Sequence, residues 1–441
     1  MQNRFTLWSV AALLLVIGVV AVGVWHIGPC VRGNDAAVAN KARQKGETGS
    51  DQAEQRKTSG ETDKTPLPPS WKRYKNLRTR YHVFLDGYAK TVRKAAPPTV
   101  SRDAFKKALG WPTQCGETPH VSLNLESVAE KDAYRVLDVR AKVGCEDVAP
   151  GLALPGSGLL AMPPDGRPVK GLIVTIHGTA ASAEQIFGLE ADRYFPVNDY
   201  HHEFAARAAA RGFAVFAPRL MTDPHRDVAV NIRHKDNSFN GSRNALDRRG
   251  EVLGLRLHGM ETFVLKHVVQ TLANRPRLRD SRIGVYGISL GGAAAFFLTA
   301  ATPEIDAAVI SQWMEVRTDK LVSREHDTAM WRYEDGDYTI LPKAVRHLRD
   351  AQVARSFIRP RPLFIEVGAR DYRSDSVQPL YRDLRAMYPG KAARHGRLCL
   401  AIEPGGHRIF FDKPMRFLDY WLHKETGEHE QAPSWCPQDA Q

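Results

Sequence analysis

Three residue types whose chemistry fits together occur late in the chain: a serine between glycines, an aspartate and a histidine. The serine lies in Gly287-Ile288-Ser289-Leu290-Gly291, after the apolar run Arg282-Ile-Gly-Val-Tyr286 and before the small residues Gly292-Ala-Ala-Ala-Phe296. That order reads as a strand, a tight turn and a helix with Ser289 at the apex, a nucleophile elbow. Glycines two positions either side remove side chains that would collide across such a turn. A serine hydroxyl attacks poorly at neutral pH, so it needs a base within hydrogen-bond reach and an acid to orient that base. His407, in Glu403-Pro-Gly-Gly-His407, follows the apolar run 398–402, and Asp371 follows the run 362–368. Both would sit just past strand ends, in the chain order Ser, Asp, His that accompanies this elbow. Asp375 in the same loop and Glu315, after the run 307–310, are alternative acids. Asp371 could instead cap a helix that starts near Ser376, a place Ser374 or Asp375 could equally fill.

Charge that develops on an attacked carbonyl oxygen needs fixed donors. The backbone N–H of Leu290, at the start of the helix, is one candidate. The loop His177-Gly178-Thr179-Ala180 follows the run 171–176 and offers the Thr179 N–H as the second. With histidine as base, activity is expected to rise through a pKa near about 6.5.

The elements that must position these residues alternate. Strands are expected at 121–125, 134–139, 158–162, 171–176, 214–218, 282–286, 307–310, 362–367 and 398–402. Helices are expected at 203–211, 247–274, 291–301, 377–387 and 414–424. Strands first, then strict alternation, predicts an α/β fold with a mostly parallel sheet, helices on both faces and an antiparallel start. Active sites in such sheets lie at the carboxyl ends of the strands, where Ser289, Asp371, His407 and Thr179 all fall.

With those residues in place, the combination of His177-Gly178, Gly287 to Gly292, Asp371 and His407 resembles the α/β-hydrolase superfamily over roughly residues 112–425. The segment Gly250-Glu-Val-Leu-Gly-Leu-Arg-Leu-His-Gly-Met260 before the elbow is similar to dienelactone-hydrolase-like and acetyl xylan esterase-like members. Dienelactone hydrolases use a cysteine where this chain has Ser289, so lactone chemistry is not implied. The resemblance implies a core of about eight strands and carboxylic-ester hydrolysis through an acyl-enzyme, acting on a small-molecule or glycan ester, with no metal or organic cofactor. A serine peptidase of the same fold and a non-catalytic scaffold that keeps the fold are the rival readings. No C-x-x-C pair and no H-E-x-x-H stretch suggests a metal site.

The remainder reads as additions. Residues 7–27 are uncharged. As a helix they would measure about 31 Å, close to a bilayer core of roughly 30 Å. A transmembrane anchor over 1–30 is the favoured expectation, with the catalytic domain on the exported side. A cleaved signal peptide is the alternative, leaving the domain secreted. Residues 31–70 form a polar linker, and 71–110 a basic amphipathic helical extension with eleven Lys or Arg against two Asp. That extension either docks on the main domain or meets anionic headgroups or glycans. Nucleic acid is a poor partner for an exported chain. The catalytic domain is expected over 111–425 and a tail over 426–441. Cys115 with Cys145, and Cys399 with Cys436, could bridge in an oxidising compartment. Arg219, His225, Arg233, His234, Arg243 and Trp313 fall in loops expected to border the pocket, a hint of polar or anionic substrates.

Overall fold

The computed structural model describes residues 79–81, 83–85, 87, 100–179, 181–189, 200–220, 241–316, 349–371, 374–388, 396–423 and 436. The apolar run 7–27, the polar linker and most of the basic extension lie outside the described residues, as do His225, Arg233 and His234. Among the described residues no helix is long and apolar enough to cross a membrane.

Nine strands form one sheet: β1 (Val121–Lys131), β2 (Tyr134–Gly144), β3 (Ala153–Met162), β4 (Leu172–Ile176), β5 (Ala214–Pro218), β6 (Ile283–Ile288), β7 (Ile305–Ser311), β8 (Leu363–Gly368) and β9 (Leu398–Glu403). Their order is β1-β2-β3-β5-β4-β6-β7-β8-β9. The first three strands and the β3–β5 pair are antiparallel, whereas β5, β4, β6, β7, β8 and β9 run parallel. The antiparallel start and parallel remainder follow the sequence pattern, and the sheet has one strand more than the eight that the family resemblance implies.

Around it lie α1 (Arg102–Leu109), α2 (Ala183–Ile186), α3 (Phe204–Ala210), α4 (Gly241–Val252), α5 (Leu257–Ala273), α6 (Leu290–Ala301), α7 (Asp350–Val353), α8 (Ser374–Met387) and α9 (Asp412–Leu422). The parallel strands are buried on both faces, which is why they read as continuous apolar runs. Successive side chains of a strand point to opposite faces. Ile310 and Ile365 accordingly join Phe263 of α5, Phe296 of α6 and Leu384 of α8 in one core. Their neighbours Val309 and Phe364 join Phe204 of α3 and Phe417 of α9 in the other.

The helix expected over 247–274 is two helices. Gly254 takes φ 77, a left-handed conformation that ends α4, and Leu255 N–H closes onto Gly250 O at 2.9 Å. The Asp247 carboxylate then accepts from Arg256 Nε and from Leu257 N–H, each at 2.9 Å, which caps α5. α1 belongs to the same body, since its Phe105 and Leu109 are buried in the first core. Two disulfides are formed. Cys115–Cys145 ties the turn after α1 to the end of β2, and Cys399–Cys436 holds the chain's last described residue against β9.

Candidate active site

Ser289 sits between β6 and α6 with φ 58 and ψ −118. A non-glycine residue in that region costs on the order of 1–3 kcal/mol and persists only where its surroundings impose it. The imposition is visible in the glycines. A Cβ on Gly287 would come within 2.1 Å of Gly291 O, and one on Gly291 within 2.2 Å of Ile176 O. A side chain at 287 would force the turn open, and one at 291 would push the start of α6 away from the end of β4. Ser289 N–H donates to Ser311 O at 2.9 Å, which ties the elbow to the end of β7.

Asp371 and His407 come together from two neighbouring strand ends. Asp371 lies three residues past β8 and His407 four past β9, and His407 Nδ1 is 2.5 Å from Asp371 Oδ2. The carboxylate is fully buried while the imidazole keeps about a third of its surface, an arrangement that fixes the acid and leaves the ring reachable. Gly368 makes the approach possible, because a Cβ there would lie 2.2 Å from Gly406 O, next to His407. Of the alternative acids, Glu315 is buried four residues beyond β7, and Asp375 belongs to the first turn of α8. The Nδ1 bond of His407 goes to Asp371.

The donors expected for an oxyanion occupy the same carboxyl edge. Leu290 is the first residue of α6, where backbone N–H groups have no intrahelical acceptor. Thr179 follows β4, and its carbonyl accepts from Tyr200 Oη at 2.6 Å. Tyr200 and His201 were not anticipated from sequence. Tyr200 packs against His201 with ring centroids 3.9 Å apart and the planes tilted by 36°, lies 5.6 Å from the His407 ring, and accepts Ile409 N–H at its carbonyl at 2.8 Å. It thus joins the Thr179 loop to the His407 loop. His201 Nε2 accepts the Gly178 N–H at 2.9 Å, which requires a neutral ring. Burial, reinforced by the nearby His177, His407 and His202, pushes that imidazole well below its ordinary range and keeps it neutral. The only sequence signal was the pair His201-His202 ahead of α3.

Arg219 does not carry the anionic-substrate hint. Its guanidinium donates to Asp138 Oδ1 at 2.6 Å and to Glu184 Oε1 at 2.7 Å, so its charge is already matched. Trp313 is buried rather than set in an open loop. An apolar cavity of about 170 Å³ lies between β3, β5 and α5, lined by Leu154, Phe216, Leu257 and Val264. Ser289 follows β6, and β4 separates β6 from β5, so this cavity is not assigned to the elbow. Among the described residues no cluster of His, Cys, Asp or Glu has the grouping of a metal site.

Comparison with known proteins bears on the fold. The Dienelactone hydrolase family matches over residues 169–329, which take in β4, the elbow and β7. Over those residues the chain is similar to the dienelactone hydrolase family, and the fold is the α/β-hydrolase fold. Among curated proteins, "Putative hydrolase YtaP" of Bacillus subtilis is 24% identical over 198 residues, or 40% of this chain and 61% of that protein. The chain therefore spans somewhat under two thirds of that relative. Among solved structures, "a putative acetyl xylan esterase" from Bacteroides fragilis superposes with a TM-score of 0.51 at 12% identity, covering 79% of this chain and 90% of that one. Acetyl Xylan Esterase 1 from Thermoanaerobacterium gives 0.48 at 16% identity, covering 75% and 98%. At these identities the likeness is one of fold.

Proposed function

We propose that this α/β-hydrolase is a serine esterase that cleaves carboxylic esters through an acyl-enzyme. The observation that carries the reading is the 2.5 Å pairing of His407 with the buried Asp371, at the carboxyl edge of the sheet where Ser289 takes positive φ in a turn that its flanking glycines permit. In this reading His407 Nε2 takes the Ser289 proton as Oγ attacks the ester carbonyl. Asp371 holds Nδ1–H, fixing the tautomer and stabilising the imidazolium that forms. The N–H groups of Leu290 and Thr179 receive the oxyanion, and loss of one such donor typically costs about 2.7–4 kcal/mol of transition-state stabilisation. The imidazolium protonates the departing alcohol, and water repeats the cycle on the acyl-serine.

Acetyl or short-chain acyl esters are the proposed substrates, in keeping with the acetyl xylan esterases among the fold neighbours. The reading includes a tether: residues 7–27 anchor the chain, and the domain works on the exported side. The two disulfides support it, since such bonds persist in oxidising compartments. Hydrolysis measured across acetylated sugars, short acyl esters and long acyl esters, with Ser289→Ala as control, tests the substrate class. Turnover of long esters alone would sink the acetyl preference.

A further inference from the structure

Gln312, the residue that follows β7, is fully buried and sits at φ 52, in the left-handed region. A glutamine gains nothing locally from that conformation, and its surroundings hold it there. Its backbone N–H donates to Glu366 O at 2.8 Å. Its side-chain amide spans two loops. Oε1 accepts the Gly368 N–H at 3.1 Å, and Nε2 donates to Arg408 O at 2.9 Å. Gly368 O accepts in turn the Asp371 N–H at 2.9 Å, and Arg408 adjoins His407. The residue before it, Ser311, accepts the Ser289 N–H. One corner of chain therefore touches the backbone around all three groups of the proposed triad. The amide also has one possible orientation, with oxygen toward the N–H and nitrogen toward the carbonyl.

We propose that Gln312 is a positioning residue: its amide sets the separation of the Asp371 turn and the His407 loop, and through Ser311 their register with Ser289. The inference rests on the serine-esterase reading. A glutamate has the same shape and keeps the acceptor for Gly368 N–H, but once ionised at alkaline pH it turns the donor facing Arg408 O into a second acceptor. An alanine removes both bonds. Misplacement of a catalytic pair by about 1 Å costs on the order of a hundredfold in rate.

The test is steady-state ester hydrolysis by Gln312→Glu and Gln312→Ala, with active sites counted by complete fluorophosphonate labelling and folding checked by thermal unfolding. The alanine variant is expected to lose about a hundredfold in kcat per labelled site with KM changed less than about threefold, and the glutamate variant to lose as much at alkaline pH, where its side chain is ionised. An alanine variant with kcat per labelled site within about threefold of wild type overturns the proposal, even if its melting temperature falls, because only packing would then be at stake. Wild type that fails to label at Ser289 overturns the esterase reading itself, and this inference with it.

Discussion

Two buried carboxyl groups five residues apart, Glu366 within β8 and Asp371 just past it, show how partner chemistry divides structure from catalysis. Asp371 faces an imidazole that can become cationic, at 2.5 Å. Glu366 faces neutral donors, accepting from Ser311 Oγ at 2.6 Å, from Tyr286 Oη at 3.2 Å and from the Phe410 backbone N–H. Burial pushes the Glu366 carboxyl from its ordinary 4.5 up to about 7, helped by the Glu403 charge, and the two hydroxyls and the Phe410 N–H only partly oppose this. The Tyr286 phenol is driven well above its usual range by the same burial and by Glu366. A buried acid beside neutral donors becomes a pH-dependent element of stability. One beside an imidazole, in the proposed mechanism, orients the catalytic base.

Breaking the catalytic side gives the largest effect. Asp371→Asn presents an amide to Nδ1, which favours the wrong tautomer, and kcat should fall by about 10⁴-fold. Steady-state hydrolysis of an acetyl ester measures it; a loss under tenfold would return the acid role to Glu315 or Asp375.

Breaking the structural side changes stability instead. Below pH 4.5 Glu366 is protonated folded and unfolded; between 4.5 and about 7 only the folded state keeps the proton. Since the folded state then binds more protons, stability falls as pH rises through that window, by roughly 3 kcal/mol for this group. Glu366→Gln should remove this fall while leaving hydrolysis nearly intact. Denaturant unfolding from pH 4.5 to 8 reads the difference, and parallel wild-type and variant curves would contradict it.

The two groups share Gly368, which offers a sharper probe. Gly368→Ala places a methyl against Gly406 O and should separate Asp371 from His407, lowering kcat on the order of a hundredfold with a modest change in melting temperature. Unchanged kcat would mean that the loops yield without disturbing the pair. The smallest expected effect is at His201, where His201→Phe strands the buried Gly178 N–H, a loss of about 1–3 kcal/mol. His201→Gln retains an acceptor and should recover part of it in the same unfolding experiment.

What sequence could show follows from range. The elbow was legible because its glycines permit a tight turn within five residues, and the strand ends carrying Asp371 and His407 because mostly buried parallel strands are largely apolar runs. The break between α4 and α5 was hidden because a glycine inside a helical pattern is tolerated until its φ is known. Tyr200, His201 and Gln312 were missed for another reason. Each acts on a backbone group 21 or more residues away, and nothing in its immediate neighbours marks that partner. Glu366 did leave a trace, as the one charge within Leu363-Phe-Ile-Glu-Val-Gly368.

The central claim is that Ser289 attacks the ester carbonyl. Exposure of the protein to a fluorophosphonate, followed by peptide mass spectrometry and hydrolysis assays with Ser289→Ala alongside, tests it most directly. The account predicts one adduct, on the peptide that carries Ser289, with no labelling and no ester hydrolysis in the variant. An unlabelled wild type, or a variant that still hydrolyses esters, would contradict it.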